Sequence, residues 1–428
     1  MKKNVFVFPC GSEIGLEVHR ALGYSTHVNL IGGSSVDDHG EFVFDTVVKD
    51  IPFVDHEDFL STINQIVDTH NIDIIIPAHD SVVLKLAQAK AEGKLSCDVM
   101  TSPAETCEVS RSKKMSYDYF AGVIPTPKVF GSAAEVEESD FPVFLKPDVG
   151  QGSKGTYTVK TREDIEFYMS KDPSILILEH LPGKEYTVDC FTNKDGELVF
   201  CEGRERNRIN NGISVNSFTV EDTRFREVAE KINQKLKFRG VWFFQVKEGS
   251  SKDLVLMEIA PRIAGTMGLV RGKGVNLVLL SIFDLLGQEV AVFENNYTLS
   301  IDRALENRYK HDIIYKHAYI DFDDLVIFEG KVNVHVMAFI YQCINKSVKV
   351  HLITRHRDDL DASLAKYKLA GIFDEIIWLQ NNEDKHSHIT EQDAIFVDDS
   401  FSERKKVHDA LGIPVFDAHM IEALMEKF

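Results

Sequence analysis

Positive charge is scarce in this 428-residue chain: 48 lysines and arginines stand against 67 aspartates and glutamates, a formal net charge of −19. No basic run is longer than Arg404-Lys-Lys406, which argues against a broad nucleic-acid-binding face. The six cysteines, at 10, 97, 107, 190, 201 and 343, are scattered with no C-x-x-C pair, as expected of reduced thiols in a reducing compartment. No apolar stretch reaches the length that spans a membrane. The short run 5–8 breaks at Pro9, too soon for a signal peptide. Internal repeats and low-complexity tracts are absent as well. These absences leave a globular protein expected in the cytoplasm, with neither nucleic acid nor membrane as partner. Its length exceeds one compact core and predicts two to four domains.

What the chain does have is a distinctive stretch from Phe144 to Thr156, Phe-Leu-Lys-Pro-Asp-Val-Gly-Gln-Gly-Ser-Lys-Gly-Thr. An apolar run at 142–145 reads as a buried strand ending on Lys146. A loop with Gly150, Gly152 and Gly155 follows, and 157–159 reads as the returning strand. Glycines let backbone amides approach an anion, and Lys146 and Lys154 add positive charge. The stretch therefore suits a nucleotide's phosphates, although alone it reads equally as an ordinary glycine-rich hairpin. It is not a Walker A loop, because no Gly-Lys-Ser/Thr follows at that spacing.

Strand-like runs at 5–8, 27–32 and 72–77 alternate with helical spacing at 13–22 and 59–69, which predicts a parallel α/β sheet over about the first hundred residues. Cys10-Gly-Ser-Glu-Ile-Gly15 departs from G-x-G-x-x-G and reads as a tight strand-to-helix turn. Asp80 follows a buried strand, where α/β sheets bind ligands, and reads equally as a turn aspartate. A helix opens at Lys113. Strands follow at 175–178, ending at Glu179, at 184–191, and as a pair at 241–246 and 254–259, with an apolar helix at 276–286. Residues 288–316 lack an apolar period and read as a connector. Near His317 the chain restarts with strands at 318–320, 348–353, 375–379 and 394–397 and intervening helices, a second βα set of a size that folds alone.

In the middle region Gln245 and Glu258 lie on the two strands of one hairpin. Residues opposite each other share a face, so the two could share a magnesium ion. Arg262 would sit where a transferring phosphate needs positive charge. Lys113, Lys146 with its glycine loop, Glu179-His-Leu-Pro-Gly-Lys-Glu185-Tyr-Thr-Val-Asp189 and Glu258-Ile-Ala-Pro-Arg262, in this order and spacing over about residues 1–290, resemble the ATP-grasp superfamily. Within it they are most similar to the carbamoyl-phosphate-synthase-like branch of carboxylate–amine ligases. The resemblance implies ATP and Mg2+ as cofactors. Lys113 and Lys146 would hold the α- and β-phosphates, and the loop of Gly150, Gly152, Ser153 and Gly155 would close over the γ-phosphate. Glu179 would begin the hinge that meets adenine, Glu185 would contact the ribose, Gln245 and Glu258 would bind magnesium, and Arg262 would steady the transferring phosphate. Members of the family convert a carboxylate into an acyl phosphate that an amine attacks, so the implied partners are a small-molecule carboxylate and an amine. Arg204, Arg206 and Arg208 lie where relatives bind the carboxylate substrate, and read equally as a solvated strand face. One position departs: relatives have Glu-x-Asn-Pro-Arg, whereas Ala260 offers magnesium no side-chain oxygen. A nucleotide-binding module without ligase chemistry is therefore the rival reading.

Asp321-Phe-Asp323 ends one C-terminal strand, Thr354 ends a second, Lys385 follows a third, and Asp398-Asp399 end a fourth. Acids at successive strand ends of a parallel sheet converge at one edge, where they hold magnesium and leave one carboxylate for attack on phosphorus. The order resembles the haloacid-dehalogenase (HAD) superfamily over about residues 317–428. The resemblance implies Asp321 as nucleophile and Asp323 as general acid/base. Asp321, Asp323, Asp398 and Asp399 would surround magnesium, and Thr354 and Lys385 would hold the substrate's phosphate. Leu325 stands where that family commonly has threonine. The gaps between the motifs leave no room for a cap domain, which favours a large substrate, cover by the ligase half, or cover by a second subunit, the last of which would make the protein a homodimer. A degenerate domain kept for packing is the rival here. His386 and His388 read as solvated residues rather than metal ligands.

The sequence thus predicts an α/β and α+β chain of a parallel α/β pre-ATP-grasp domain (1–105), an ATP-grasp fold (106–300), a linker (301–316) and a capless HAD-like Rossmannoid domain (317–428). The expected activity is ATP- and Mg-dependent carboxylate–amine ligation with a fused phosphatase.

Overall fold

The structure, a computed structural model, describes every residue except 1, 151, 153, 211, 381, 382, 427 and 428. The chain divides into two compact units, 1–305 and 306–428.

The first unit begins with the aliphatic runs picked out above. Strands β1 (Lys3–Phe8), β2 (Val28–Gly33), β3 (Val47–Val48), β4 (Ile74–Pro77) and β5 (Asp98–Val99) form a parallel sheet in the order β3-β2-β1-β4-β5. Successive residues of a strand face opposite sides, and β1 shows the result. Val5 and Val7 pack with Val18 and Leu22 of α1 (Glu13–Leu22), while Phe6 and Phe8 pack with Phe59 and Ile63 of α2 (Phe59–His70) and Leu86 of α3 (Asp80–Ala91). Both faces are covered, which is why these strands read as unbroken apolar runs. Ser12 caps α1, accepting from the Gly15 amide at 3.0 Å and donating to the Pro9 and Ala78 carbonyls. That network sets the start of α1 beside the end of β4.

Helices α4 (Ala104–Arg111) and α5 (Lys113–Phe120) lead into a sheet of β6 (Val129–Phe130), β7 (Val143–Pro147), β8 (Tyr157–Val159) and β9 (Ile175–Glu179), ordered β6-β9-β7-β8 and covered by α6 (Arg162–Lys171). A larger antiparallel sheet follows: β10 (Glu185–Thr192), β11 (Leu198–Asn210), β12 (Ile213–Val220), β13 (Gly240–Glu248), β14 (Leu254–Ala260) and β15 (Ser300–Asp302), ordered β14-β13-β10-β11-β12-β15. On one face Val188, Cys190, Trp242 and Phe244 pack on Phe225, Val228 and Ile232 of α7 (Thr223–Lys235). On the other, Phe191 and Val241 join the core of the parallel sheet, together with Leu277, Val278 and Ile282 of α9 (Leu277–Leu285), which follows the short α8 (Gly268–Gly272). Gly183 is required before β10, because a side chain there would lie 2.4 Å from the Glu248 Cβ and 2.7 Å from its carbonyl oxygen.

One finding departs from expectation: β15 lies within the span read as a connector, pairing Ser217 with Ile301. The polar stretch carrying Arg204, Arg206 and Arg208 is part of β11, in the long hairpin β11–β12.

The second unit is a parallel sheet of β16 (His317–Ile320), β19 (Lys349–Thr354), β20 (Glu375–Trp378), β21 (Ala394–Val397) and β22 (Val415–Phe416), ordered β20-β19-β16-β21-β22. A small hairpin of β17 (Ile327–Phe328) and β18 (Lys331–Val332) follows β16. Its strands alternate as in the first unit. Ala318 and Ile320 pack on Val336, Phe339 and Ile340 of α10 (Val334–Asn345) and on Leu360 and Leu364 of α11 (Leu360–Lys366), while Tyr319 and Phe396 pack with Val407 of α12 (Phe401–Leu411). Among the described residues all six cysteines are free, and no helix is long and apolar enough to cross a membrane.

Candidate functional site

A cavity of ≈ 430 Å³ lies in the first unit, walled by Ser12, His79 and Asp80 from the end of the parallel sheet and by Gln245, Glu258 and Arg204 from the antiparallel one. A smaller pocket of ≈ 110 Å³ adjoins it at Lys146 and the glycine loop. The antiparallel register explains what the cavity contains. Glu258 pairs with Gln245, Gln245 with Thr187, and Thr187 with Arg204, so one row across four strands presents its side chains on the cavity face.

Lys146, the fourth residue of β7, is buried and donates to the Met257 carbonyl at 3.2 Å. Burial pushes its ammonium down to about 8, Glu258 opposing and Lys113 adding to the shift. Lys113 opens α5, capped by Ser112, and donates to the Asp148 carbonyl at 3.0 Å. The Asp148 carboxylate accepts from the Ser112 hydroxyl and from the Lys114 amide. Asp148 therefore fastens the start of α5 to the end of β7 and brings the two lysines to one place. Burial also lowers Lys113. Neither lysine has a carboxylate ion-pair partner among the described residues, and the half-buried Glu258 carboxylate facing them has no hydrogen-bond or ion-pair partner there. Gly155, at the far end of the loop, has φ +71°, a backbone conformation side chains rarely adopt.

The family described as ATP-grasp in the biosynthetic pathway with Ter operon matches residues 171–305. Among curated proteins, the chain is similar to a formate-dependent phosphoribosylglycinamide formyltransferase from Chlorobium phaeobacteroides, 28% identical over 30% of this chain and 36% of that one. It is also similar to a D-alanine–D-alanine ligase from Phocaeicola vulgatus, 33% identical over 15% and 21%. The chain thus spans about a third or less of the curated relatives it matches. Among solved structures, the biotin carboxylase domain of 2-oxoglutarate carboxylase from Hydrogenobacter thermophilus, determined with MgADP and bicarbonate, superposes with a TM-score of 0.59 at 14% identity. That superposition covers 70% of this chain and 74% of the other. At that identity the likeness is one of fold.

Of the residues predicted for the ATP-grasp site, Lys113, Lys146, Gly150, Gly152, Glu185, Arg206, Gln245 and Glu258 line the smaller pocket, and Arg204 and Arg262 the larger cavity. Ser153 lies outside the described residues. Glu179 lines neither: its carboxylate accepts from the Lys128 amide at 2.9 Å. Arg208 lines neither: it is exposed and paired with Asp302 at 2.8 Å. Arg206 donates to Glu185 at 2.6 Å and to the Gln245 side-chain oxygen at 2.7 Å, so Gln245 is held by a guanidinium and Glu258 alone stands without a partner. Arg204 is fully buried in an ion pair with Asp189, its Nε donating to Thr266 at 2.8 Å. Arg262 binds Asp80 through both Nε and Nη2, at 2.6 and 2.8 Å, and lies over the Phe243 ring. Asp80 is pushed up by burial, but the Arg262 charge outweighs this and holds it below the usual carboxylate range.

The sequence reading missed Asp148, Arg111 and Arg303. Asp148 directly follows Lys146-Pro147, and the serine cap at 112 was the available signal. Arg303, just past β15, reaches Glu13 at 3.0 Å, and nothing local marks it.

In the second unit, carboxylate oxygens of Asp321, Asp398 and Asp399 all lie within 4.8 Å of one another at the strand ends of β16 and β21. Lys385 donates to Asp321 at 2.7 Å and to Asp398 at 2.6 Å. Burial pushes Asp321 up to about 7, with Lys385 pulling against it and Asp398 adding to it. Thr354 is fully buried, its hydroxyl accepting from the His356 amide. Asp323 stands outside the carboxylate group, half exposed, with its oxygen 2.8 Å from His356 Nδ1; the second histidine nitrogen lies 2.9 Å from the Ser363 hydroxyl. Asp323, expected beside the magnesium, is thus not among the three carboxylates that converge.

Proposed function

We propose that the first unit is an ATP- and Mg-dependent ligase that joins a carboxylate to an amine through an acyl phosphate. The observation that carries this reading is the pair of lysines lacking carboxylate partners, Lys113 and Lys146, facing the partnerless Glu258 carboxylate beneath the glycine loop. Buried charges without partners are costly, and a magnesium-bound triphosphate complements this set: phosphate oxygens for the lysines, the cation for Glu258. Glu258 fits a magnesium ligand, Gln245 does so on exchanging Arg206, and Ala260 adds none. Magnesium, when bound, supplies positive charge to the phosphate oxygens. A substrate carboxylate oxygen bonds to the γ-phosphorus as the bond to the β–γ bridging oxygen breaks and ADP leaves with that electron pair. The amine nitrogen then bonds to the acyl carbon as the carbon–oxygen bond to phosphate breaks; inorganic phosphate leaves with that electron pair, and the nitrogen gives up a proton to the departing phosphate or to water. Arg262 with Asp80, and Arg204, line the part of the cavity where the carboxylate would lie.

Purified protein given ATP, Mg2+ and pools of amino acids and small amines is expected to release ADP only with the right pool, and Lys146→Ala to abolish that release. A second reading, a nucleotide binder without ligase chemistry, is favoured by Ala260 and by the hold of Arg206 on Gln245. ATP binding with no ADP from any pool would select it.

For residues 317–428 we propose a capless HAD-like phosphatase, with Asp321 as nucleophile, Asp398 and Asp399 toward magnesium, and Lys385 and Thr354 toward phosphate. Asp323 would act as acid/base from its bond to His356. Full-length protein is expected to hydrolyse a generic aryl phosphate with Mg2+, and Asp321→Asn to lower the rate by at least about a hundredfold. Equal rates would remove the phosphatase reading.

A further inference from the structure

Four cavity-lining cations of the first unit lack a carboxylate ion-pair partner among the described residues: Lys113, Lys146, Lys154 on the glycine loop, and Arg111. The three lysines are accounted for by the phosphates of a bound nucleotide. Arg111 is not. It ends α4, half-buried, and its guanidinium bridges two parts of the cavity: Nη1 donates to the Gly150 carbonyl of the glycine loop at 3.4 Å, and Nη2 to the Ser81 hydroxyl, in the first turn of α3, at 3.2 Å. The second bond is neutral and the first long, so the charge is available to a ligand.

Arg262 presents the opposite case. Its Nε and Nη2 are both committed to Asp80, and its Nη1 donates to the Ile263 carbonyl at 2.9 Å. A bidentate carboxylate leaves that guanidinium with little net charge to offer an incoming anion. In phosphoryl transfer, charge sits on the equatorial oxygens of the moving group, and a preorganised cation there contributes most of what a side chain can.

Resting on the ligase reading, we propose that Arg111 is a further catalytic residue, the cation that meets the phosphoryl group in flight between ADP and the substrate carboxylate, with the Arg262–Asp80 pair forming the wall behind it. Its position between the glycine loop and α3 places it on the boundary between the nucleotide and the second substrate. Because its Gly150 contact belongs to the loop, its engagement is tied to the loop's position.

The test is a calorimetric titration of the full chain with MgADP, with and without aluminium fluoride, which mimics the transferring phosphoryl group. Wild type is compared with Arg111→Gln and Arg111→Lys. Wild type is expected to bind MgADP about tenfold or more tightly when fluoride is present. Arg111→Gln should bind MgADP alone within about threefold of wild type yet lose the fluoride gain, and Arg111→Lys, a point charge without the fork, should keep part of it. Substrate-dependent ADP release should fall about 10²–10³-fold in Arg111→Gln, with the KM for ATP little changed. An undiminished fluoride gain in Arg111→Gln, an equal loss of plain MgADP affinity, or no fluoride gain in wild type would each overturn the proposal. A gain that depends on Arg111 with no ADP release from any pool would sink the ligase reading alone. Full ADP release by Arg111→Gln would sink the Arg111 role alone.

Discussion

Lys146→Met is expected to melt higher than wild type at pH 7 while losing ADP release by at least about a hundredfold. The two effects have one cause. Lys146 is 8% exposed, and burial pushes its ammonium from 10.5 down to about 8. A shift of that size means the folded protein holds this charge at a cost of roughly 3 kcal/mol. For a lysine with a lowered folded value, the cost is fully present below about pH 8. It fades as the pH rises toward the ordinary lysine value, because the unfolded chain then loses its proton too. Methionine fills similar space without a charge, so the variant should gain about 3–6 °C at pH 7. The difference should narrow as pH climbs from 8 to 10. Scanning calorimetry at both pH values decides: a variant that melts lower at pH 7 would show that Glu258, Glu185 and the nearby backbone already compensate the charge. The same uncompensated state is what would suit the residue to the phosphate proposed for it.

Asp189→Ala should be far more damaging to stability. Asp189 and Arg204 are both fully buried and paired, and removing one partner strands the other charge, at about 3–5 kcal/mol. Replacing both, Asp189→Ala with Arg204→Met, is expected to recover most of that loss. Urea midpoints for the single and double variants test it. A single variant within about 1 kcal/mol of wild type would mean that water reaches Arg204 once the aspartate is gone.

The parallel strands were legible because a strand buried on both faces has little choice of residue: Ile74, Ile75 and Ile76 are all fully buried. The hairpin β11–β12 was not, since its cavity face carries arginines where an ordinary strand alternates apolar with polar. β15 escaped for another reason: three residues have no periodicity, and only their pairing with β12 makes them a strand. For the site, residue types pointed to Lys113, Lys146 and Glu258, because few structural roles call for them at strand ends and helix starts. Their mutual placement came from register and from Asp148. Arg111 and Arg303 had no local signature, since their partners lie 39 and 290 residues away in sequence. Asp80 was readable as either ligand or turn residue, and its bidentate bond to Arg262, 182 residues on, could be found only in three dimensions.

The small strand β15 also decides where the first unit can be cut. It covers the outer edge of β12, and Asp302 and Arg303 tie it to Arg208 and Glu13. A fragment stopped before Ser300 would bare the backbone of β12 over Asn216–Phe218, a template for pairing with a neighbouring chain. It would lose both clasps at once. Filaments or insoluble protein from such a fragment, and well-behaved protein from one carried through Leu305, would trace solubility to three residues outside the cavity lining.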